Sequence, residues 1–489
     1  MNDFKQIALN IDKGLDTADQ NRIQSALNEI ESLLKNSNNA ENSILHYYRA
    51  NAYSALRKVN PDFINLQYEW QQPELSEEIL SLRRSIRCEG FDDLPKIRRC
   101  QVYTNLGNNL NTIGRPIEAI SAWDKALAIE PTFAMAAGNR ANGIAHYSNA
   151  IYDPGHQCIF LNEAAKSFRV ALNDNSLWDS YYPNEVKQEF KNKLEQIEKY
   201  LALNCDFETF DPFAFEVGKN SEAKALNQWR LDNRLFLNPM NDLGAWPIAA
   251  QDIFHLPNHT YNIDELPRFP RYYDLISQEF VTACVLLFEG QSSDRVHHSD
   301  ETLLTYEHGD YSVTSVGLEK QKVAFRMAYS LLDKCAVFVN DYFSLGHKIS
   351  SLTNTFRKVW FNKNNPNNLN SNLPMKNWRL RGLYSISLDI FDDDFNELSS
   401  PLAVKANDIR NAAEHRFLSV REHLISDDQI EACEYVTAEE LLEITLYMLQ
   451  LSRAAIMGLS MAVYYQEKYL KTSSDKLTLP IPGIRKIRR

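Results

Sequence analysis

The segment between Tyr103 and Pro131, YTNLGNNLNTIGRPIEAISAWDKALAIEP, constrains the fold of this chain more than any other. Two helical faces follow each other in it, and each combines small residues with bulky ones. Their members are Tyr103, Leu106, Gly107 and Leu110 in the first half and Ala119, Trp123 and Ala126 in the second. The small residues let two antiparallel helices approach closely, the bulky ones fill the groove, and Pro131 ends the second helix. The segment therefore predicts a helical hairpin.

The spacing of this hairpin matches the tetratricopeptide signature and recurs on both sides of it. A second unit starts near Ala134 and carries about eleven additional residues, SNAIYDPGHQC, between its helices. A weaker unit precedes the hairpin, and residues 1–40 form one more amphipathic pair or a cap. The outer units are defined by Ala141, Ile144, Ala164, Phe168 and Ala171, and by Ala50, Tyr53, Leu82 and Ser85. Because one repeat cannot bury its own apolar face, three or more are expected to stack into a short solenoid.

Such arrays usually bind peptides or protein surfaces, and the alternative is a scaffold that only packs on its neighbouring domain.

A length of 489 residues suggests two or three domains, and apolar and charged shares of 44% and 24% are ordinary for a globular protein. No unbroken apolar stretch reaches the roughly 18 to 20 residues that span a bilayer. Since the N-terminus also lacks a signal-peptide core, we expect a cytoplasmic protein.

The cysteines and the net charge restrict the kinds of site. Seven cysteines without a CxxC pair argue against a zinc finger and against a disulfide framework, and most are expected to be small core residues. A net charge of −12 disfavours nucleic-acid binding over the whole surface. Any site that acts on RNA must therefore be local.

The chain is predicted to be all-α, with a tetratricopeptide-like solenoid followed by a helical bundle. We place the repeat domain at 1–200, an irregular packed connector at 201–268, the bundle at 269–472 and a basic tail at 473–489. Bundle helices are expected at about 271–289, 317–346, 350–361, 377–391, 402–425 and 437–471, with a polar loop at 362–374. The last helix has an N-cap at Thr437. The tail ends in IRKIRR, which could contact RNA.

The stretch KANDIRNAAEHRFLSVREH holds the residues that could carry chemistry. Its apolar residues recur every three or four positions and predict one amphipathic helix with a buried stripe of Leu402, Ala406, Ile409, Ala413, Phe417, Val420 and Leu424. At about 100° per residue, Asn411 and His415 lie on the accessible side and Arg410 lies at the edge of the stripe. Arginine offers a permanent planar charge to a phosphate. Histidine can pass protons near neutral pH, so this pair suits phosphodiester chemistry without a metal.

Spacing alone does not establish such a site. Arg140…His146 and Arg416…His423 fall within similar spacings, and an ordinary surface helix also exposes arginine and histidine. A divalent-ion site is the competing possibility, either around His297, His298 and Asp300 with Glu307 and His308, or at Asp392-Asp393-Asp394. The adjacent histidines lack the i, i+4 spacing that aims two side chains at one metal, and solvated loop charge is the simpler interpretation of the aspartates.

The 271–470 region resembles the HEPN superfamily, compact helical bundles with an R-x4-6-H motif on a late helix. The motif here is Arg410-Asn411-Ala412-Ala413-Glu414-His415, including the polar residue that commonly follows the arginine. A long central helix, a shorter pair, the motif helix and a long closing helix follow in the same order. Repeats, connector and bundle together resemble a bacterial tetratricopeptide-linked HEPN subfamily.

This resemblance implies a metal-independent endoribonuclease that needs no cofactor and leaves a cyclic phosphate and a 5′-hydroxyl. Carried over to this chain, His415 is the general acid or base, Arg410 stabilises the phosphorane charge, and Asn411 orients the phosphate or His415. Bundles of the family usually dimerise and act as toxins or in defence against phage. The implied partners are RNA, a second copy of the chain, and a protein or peptide on the repeats, with no membrane.

One departure from the family concerns regulation. Members that are paired with a nucleotidyltransferase antitoxin carry a tyrosine two residues after the histidine, and this chain has Phe417 there. Control through the repeats is therefore expected instead. The second function that the residues leave open is a non-catalytic adaptor, which binds protein through its repeats and dimerises through its bundle.

Overall fold

The computed structural model divides into two compact units, residues 1–210 and residues 211–489. Each unit is described by itself. The structure describes residues 2–35, 39–178, 184–205, 210–262, 267–292, 297–306, 311–348, 350, 355–392, 406, 408–410, 412–413, 415–423, 432–469 and 476–479.

The first unit is built from helices that pack as consecutive pairs. They are α1 (Asn2–Asp16), α2 (Gln20–Leu34), α3 (Asn39–Val59), α4 (Phe63–Leu66), α5 (Pro73–Arg87), α6 (Lys96–Thr112), α7 (Pro116–Ile129), α8 (Ala134–Ser148), α9 (Pro154–Leu172) and α10 (Asn184–Asn204). The main packing partners are α1 with α2, α3 with α5, α6 with α7 and α8 with α9. This succession of helical hairpins is consistent with repeats.

The hairpin predicted between Tyr103 and Pro131 corresponds to α6 and α7. Trp123 lies between them and is 1% exposed. A Cβ atom added at Gly107 would lie 2.6 Å from the Trp123 ring nitrogen, and one added at Gly143 would lie 2.2 Å from the far edge of that ring. The ring nitrogen of Trp123 donates a hydrogen bond to Asn108 Oδ1 at 3.1 Å. Both glycines are therefore required because the indole occupies the space that any side chain would need.

The insertion in the following unit is divided between a connecting segment and the start of a helix. Helix α8 ends at Ser148 and α9 begins at Pro154, so most of the additional residues form a short connection and the first turn of α9. Asp153 caps α9, and its carboxylate accepts a hydrogen bond from the His156 backbone N–H at 2.8 Å.

The first unit also contains a disulfide between Cys158 and Cys205. It joins α9 to the residue that follows α10, across a sequence separation of 47 residues. The sequence argued against a disulfide framework, and this single bond differs from the expectation that the cysteines are mostly small core residues. Spacing does not reveal the pair, because the two residues meet only through the packing of α9 on α10.

The second unit is also mainly helical. Its helices are α11 (Ser221–Asp232), α12 (Met240–Leu243), α13 (Arg268–Gln291), α14 (Val316–Tyr342), α15 (Thr355–Lys358), α16 (Trp378–Phe391) and α17 (Ala438–Tyr469). Its strands are β1 (His259–Asn262), β2 (Ser312–Val313), β3 (Phe361–Asn362), β4 (Asn365–Leu369), β5 (Phe417–Arg421), β6 (Cys433–Thr437) and β7 (Lys476–Leu479). The prediction of an all-α class is confirmed, since the strands are short and few beside the helices.

In the described part of the second unit, the strands form three small β-sheets. Strand β1 pairs with β7, β3 pairs with β4, and β5 lies between β2 and β6. The β3–β4 hairpin replaces part of the polar loop expected at 362–374. An asparagine side chain stabilises its turn, because Asn362 Oδ1 accepts a hydrogen bond from the Asn364 backbone N–H. The β5–β6 pair is parallel, with Phe417 opposite Cys433.

Helices α13, α14 and α17 form the core of the second unit, with α16 packed on α17. The start of α17 confirms the predicted cap: the Glu440 backbone N–H donates to Thr437 Oγ1 at 3.0 Å, and the Thr437 N–H donates to Glu440 Oε2 at 2.9 Å. By length and composition α17 could span a membrane, but 83% of its apolar window is buried inside the fold. That burial is the behaviour of a core helix.

Residues 211–268 of the expected irregular connector belong to this unit and contain α11, whereas α10 of the first unit extends to Asn204. It is fastened to α17 by a fully buried ion pair between Arg453 and Asp242, 2.6 Å apart. The same guanidinium donates to the carbonyl oxygens of Phe236 and Asn238. Packing across more than 200 positions of sequence, and not local pattern, therefore orders this segment.

Candidate active site at the end of the motif helix

The arginine and histidine of the motif lie on a short helix beside the bundle core. The described residues among 406–415 are helical, and we call them the motif helix. Ala406, Ile409 and Ala412 form its buried stripe, each at most 1% exposed. Arg410 is half-buried, and His415 is exposed. At about 100° per residue the two side chains leave the helix on opposite sides of its buried stripe, so they flank the exposed face.

The motif helix ends ten residues earlier than the sequence predicted. The Arg416 backbone N–H makes the last helical hydrogen bond, to the carbonyl oxygen of Ala412 at 3.0 Å. The Phe417 N–H then donates to the carbonyl oxygen of Ala432, and β5 begins. The expected single helix over 402–425 is therefore wrong. Phe417, placed in the buried stripe by the sequence, is 72% exposed.

The physical reason lies in the sequence from Phe417 to Arg421. Leu418 and Val420 are 8% and 1% exposed, whereas Phe417 and Ser419, which alternate with them, are more exposed. This is the period of two that a strand requires, and the burial of Val420 fits both a helix and a strand. Pairing with β2 and β6 selects the strand. His415 consequently lies at a corner, where the chain passes from helix to strand within one residue.

Arg410 is fixed to the central helix of the bundle. Its guanidinium carbon lies 5.3 Å from the centre of the Tyr329 ring, which is an attractive cation–π contact. Tyr329 belongs to α14, is 3% exposed, and meets the Phe391 ring edge-on at 6.2 Å. The contact with this buried ring explains why Arg410 is half-buried.

A second arginine near the motif was not selected by sequence reasoning. Arg421, at the end of β5, is 1% exposed, and its guanidinium carbon lies 3.7 Å from the centre of the Tyr435 ring. Alternating exposure would place Arg421 on the outward face with Phe417 and Ser419, so its burial departs from the strand pattern. Neither the helical interpretation nor the strand pattern therefore indicates this buried cation.

The structure describes only some of the remaining residues that the sequence selected for the candidate site. Asn411 lies outside the described residues, as do Leu402 and Leu424 of the predicted stripe. The alternative pair Arg416 and His423 lies beyond the motif helix, and both side chains are exposed.

The competing metal site is not assembled among the described residues. His297 and His298 stack at 4.1 Å, and the His297 ring nitrogen contacts Ser299 Oγ at 2.6 Å. The Asp300 carboxylate accepts from the Val316 N–H and so caps α14. Glu307, His308, Asp393 and Asp394 lie outside the described residues. Within the described part of the chain, no group of three or more potential metal ligands comes together.

The arrangement combines a permanent cation anchored in the bundle with an exposed imidazole at a helix end. Arginine can stabilise a dianionic phosphorane through its several donors. Imidazole can transfer a proton to or from an oxygen atom that reaches it from solvent. The exposed strip between the two side chains is therefore suited to a phosphodiester.

A known family model matches the C-terminal part of the chain. Residues 260–466 match the family model described as LA2681-like HEPN. The match begins in β1, ends near the end of α17, and contains the motif helix, so the C-terminal part of the chain carries a HEPN domain. No tetratricopeptide family model matches the N-terminal unit. No curated protein and no solved structure shows significant similarity to the chain.

Proposed function

We propose that this protein is a metal-independent endoribonuclease of the HEPN type. The observation that carries the proposal is the position of Arg410 and His415 inside the matched HEPN region, on either side of one exposed helix face. HEPN domains are generally associated with ribonuclease activity. The net charge of −12 leaves such a local cation and imidazole as the means of engaging RNA.

In the proposed reaction the 2′-oxygen of a ribose attacks the adjacent phosphorus. A bond forms between that oxygen and phosphorus, and the bond from phosphorus to the 5′-oxygen of the next nucleotide breaks. The 2′-hydroxyl gives up its proton to a base, and the leaving 5′-oxygen receives a proton from an acid. His415 carries one of these transfers, Arg410 neutralises the phosphorane, and Asn411 orients the phosphate or His415.

One histidine cannot be base and acid at the same instant, so the complete site takes a second copy of the chain. Two exposed aromatic residues near the motif support a contact there, Phe417 at 72% and Tyr311 at 57% exposure. They lie at opposite ends of β5, with Phe417 at its start and Tyr311 beside its end, where the Tyr311 carbonyl oxygen accepts from the Glu422 N–H. Covering Phe417, which closely follows the motif helix, in a dimer would bring two motif helices together.

The first unit supplies regulation or targeting in this proposal. Its consecutive helical hairpins, with Trp123 packed against Gly107 and Gly143, support a tetratricopeptide-like array that binds a protein or peptide. A cytoplasmic toxin or an anti-phage defence protein would use such an array to hold the ribonuclease inactive until a signal arrives. Phe417 offers no hydroxyl for modification, which favours this route of control.

The test is incubation of the purified full chain with total cellular RNA in EDTA. Wild-type protein is expected to produce discrete fragments, while Arg410→Ala and His415→Ala lower the cleavage rate by about 100-fold or more. His298→Ala is the matched control, because His298 is also exposed and lies outside both the motif helix and the sheet that contains β5. Arg410→Lys keeps the charge and loses the planar fork, so it should retain only part of the activity.

A non-catalytic adaptor is the second candidate, and one contact favours it. The packing of Arg410 on Tyr329 gives the arginine a structural role that needs no RNA. Under this function Arg410→Ala would lower the melting temperature, and wild type and variants would all leave RNA intact. Cleavage by the wild type separates the two functions, and melting curves show whether Arg410→Ala remains folded in the assay.

A further inference from the structure

A cleft at one end of the second unit is remote from the motif helix. It has a volume of about 220 Å³ and lies where β1, the start of α13, the end of α14, the segment after β4 and the end of α17 converge. Its walls are Thr260, Phe269, Tyr342, Phe343, Ser344, Asn372, Pro374, Gln466 and Glu467. Tyr342 and Tyr329 lie on the same helix, 13 residues or about 20 Å apart, so the cleft is separate from the surroundings of Arg410.

One carboxylate is held rigidly in the cleft wall. Glu467 Oε2 accepts hydrogen bonds from the Thr260 backbone N–H at 3.1 Å and from Thr260 Oγ1 at 2.8 Å. Glu467 Oε1 accepts a hydrogen bond from the Tyr342 hydroxyl. Burial, followed by the neighbouring Glu467 carboxylate, raises the pKa of the Tyr342 phenol, so this hydroxyl stays protonated and continues to donate. The carboxylate is thus oriented before any ligand arrives.

Aromatic rings surround this carboxylate. The Tyr342 ring meets Phe269 edge-on at 5.1 Å with an interplanar angle of 77°, and it meets Phe343 at 4.9 Å with an angle of 78°. Phe269 and Phe343 remain half-exposed and line the cleft. The guanidinium carbon of Arg268 lies 5.1 Å from the centre of the Phe269 ring, so this ring already holds a cation, as the negative electrostatic potential of aromatic faces favours.

The opposite wall of the cleft contains a constrained turn at Ser344. Ser344 has a φ of +53°, in the left-handed region that favours glycine. The Asn372 side-chain amide donates to the Ser344 carbonyl oxygen at 2.8 Å and holds this turn in place. Backbone held in a sparsely populated conformation is frequent at ligand sites, where the surrounding structure maintains it.

The charge of the cleft selects the chemistry of its occupant. Among the described residues that line the cleft, Glu467 is the charged one, and the nearby Arg268 guanidinium is paired with the Asp341 carboxylate at 3.2 Å. An anionic ligand such as a phosphate would meet the oriented Glu467 carboxylate, so anions are disfavoured. The small volume excludes a whole nucleotide but admits the head of an aliphatic ammonium ion.

We propose that this cleft binds a small alkylammonium ion, with its cationic head between Phe343 and Glu467. The ammonium contacts the Phe343 ring by cation–π attraction and the carboxylate by charge, and Gln466 and Asn372 accept from any N–H groups. This site is independent of the proposed ribonuclease, because no lining residue belongs to the motif helix.

The test is calorimetric titration of the full chain with choline, putrescine and the neutral isostere of choline in which a tert-butyl group replaces trimethylammonium. The first two separate methylated from primary ammonium ions, and the third has the shape without the charge. Binding of at least one ammonium ion is expected to be about 10-fold or more tighter than that of the isostere.

Two variants assign the binding to the cleft. Glu467→Gln keeps the size of the side chain and is expected to weaken ammonium binding by about 10-fold, and Phe343→Leu keeps an apolar wall without the π face and should weaken it by about 3-fold or more. Glu439→Gln, at the exposed opposite end of α17, is the control and should bind as wild type. Equal affinity for the neutral isostere, no binding of either ammonium ion, or unchanged binding by folded Phe343→Leu would overturn the proposal.

Discussion

The buried ion pair between Arg453 and Asp242 should be the most sensitive point in the second unit. The two side chains are 1% and 0% exposed, and the guanidinium also donates to the carbonyl oxygens of Phe236 and Asn238 at 2.5 and 3.0 Å. Replacing Arg453 by methionine fills similar space but leaves a buried carboxylate and two carbonyl oxygens without this cation. Removal of one member of such a pair costs about 3 to 5 kcal/mol. We expect Arg453→Met to lower the free energy of unfolding by about 4 kcal/mol.

The assay is urea unfolding followed by far-ultraviolet circular dichroism, with thermal melts in parallel. The loss corresponds to a fall of roughly 10 °C in the melting temperature of a unit of this size. Asp242→Asn combined with Arg453→Met removes both charges and should recover about 1 kcal/mol or more relative to the single variant. Lys320→Met breaks the exposed Lys320–Glu289 pair at 2.6 Å and should cost less than about 1 kcal/mol. A cost as small as this for Arg453→Met would refute the reasoning.

Two further predictions concern the first unit. Because of the Cys158–Cys205 disulfide, five of the seven cysteines should be titratable as thiols in the denatured chain before reduction, and all seven after it. Reduction should lower the free energy of unfolding by up to about 4 kcal/mol for a separation of 47 residues. Seven titratable thiols without reductant would contradict the presence of the disulfide. Burial, followed by the charges of Arg84 and Arg49, lowers the pKa of His46 to about 4. Because the unfolded chain then binds a proton more readily, stability should fall by up to about 3 kcal/mol as the pH drops from 6.5 to 4. In His46→Gln this part of the pH dependence should disappear from urea unfolding curves, and an unchanged slope would show that His46 does not cause it.

Local pattern was sufficient where neighbouring helices bury each other. The segment from Tyr103 to Pro131 forms α6 and α7 because Trp123 and Gly107 are only 16 residues apart and meet within one hairpin. Helices α13, α14, α16 and α17 likewise lie within a few residues of their predicted positions. In each of these elements the apolar period of 3.6 continues without a competing strand partner.

Pattern failed where a distant partner decides the local structure. Val420 fits both the predicted helical stripe and the observed strand, and only the pairing of β5 with β2 and β6 distinguishes them. Arg453 and Asp242 are separated by 211 positions, so no local window connects them. The same limit applies to the disulfide of the first unit. Tertiary contact overrides propensity at all these places.

The candidate site also combines features that local sequence pattern predicts with features that depend on distant contacts. The exposure of His415 follows from its position opposite the buried stripe, which the sequence specifies. The contact of Arg410 with Tyr329 depends on how the motif helix packs on α14 and could not be read from spacing. The early end of the motif helix likewise required knowledge of the strand pairing that follows Phe417.

The most direct test of the central claim is analysis of the RNA ends produced by the wild-type chain in EDTA. Metal-independent attack by a 2′-hydroxyl predicts fragments with a cyclic phosphate at one end and a 5′-hydroxyl at the other, and these fragments should be absent from reactions with Arg410→Ala or His415→Ala. Intact RNA, fragments that end in a 3′-hydroxyl, or cyclic phosphates that persist undiminished in His415→Ala would contradict the assignment of this motif as the active site.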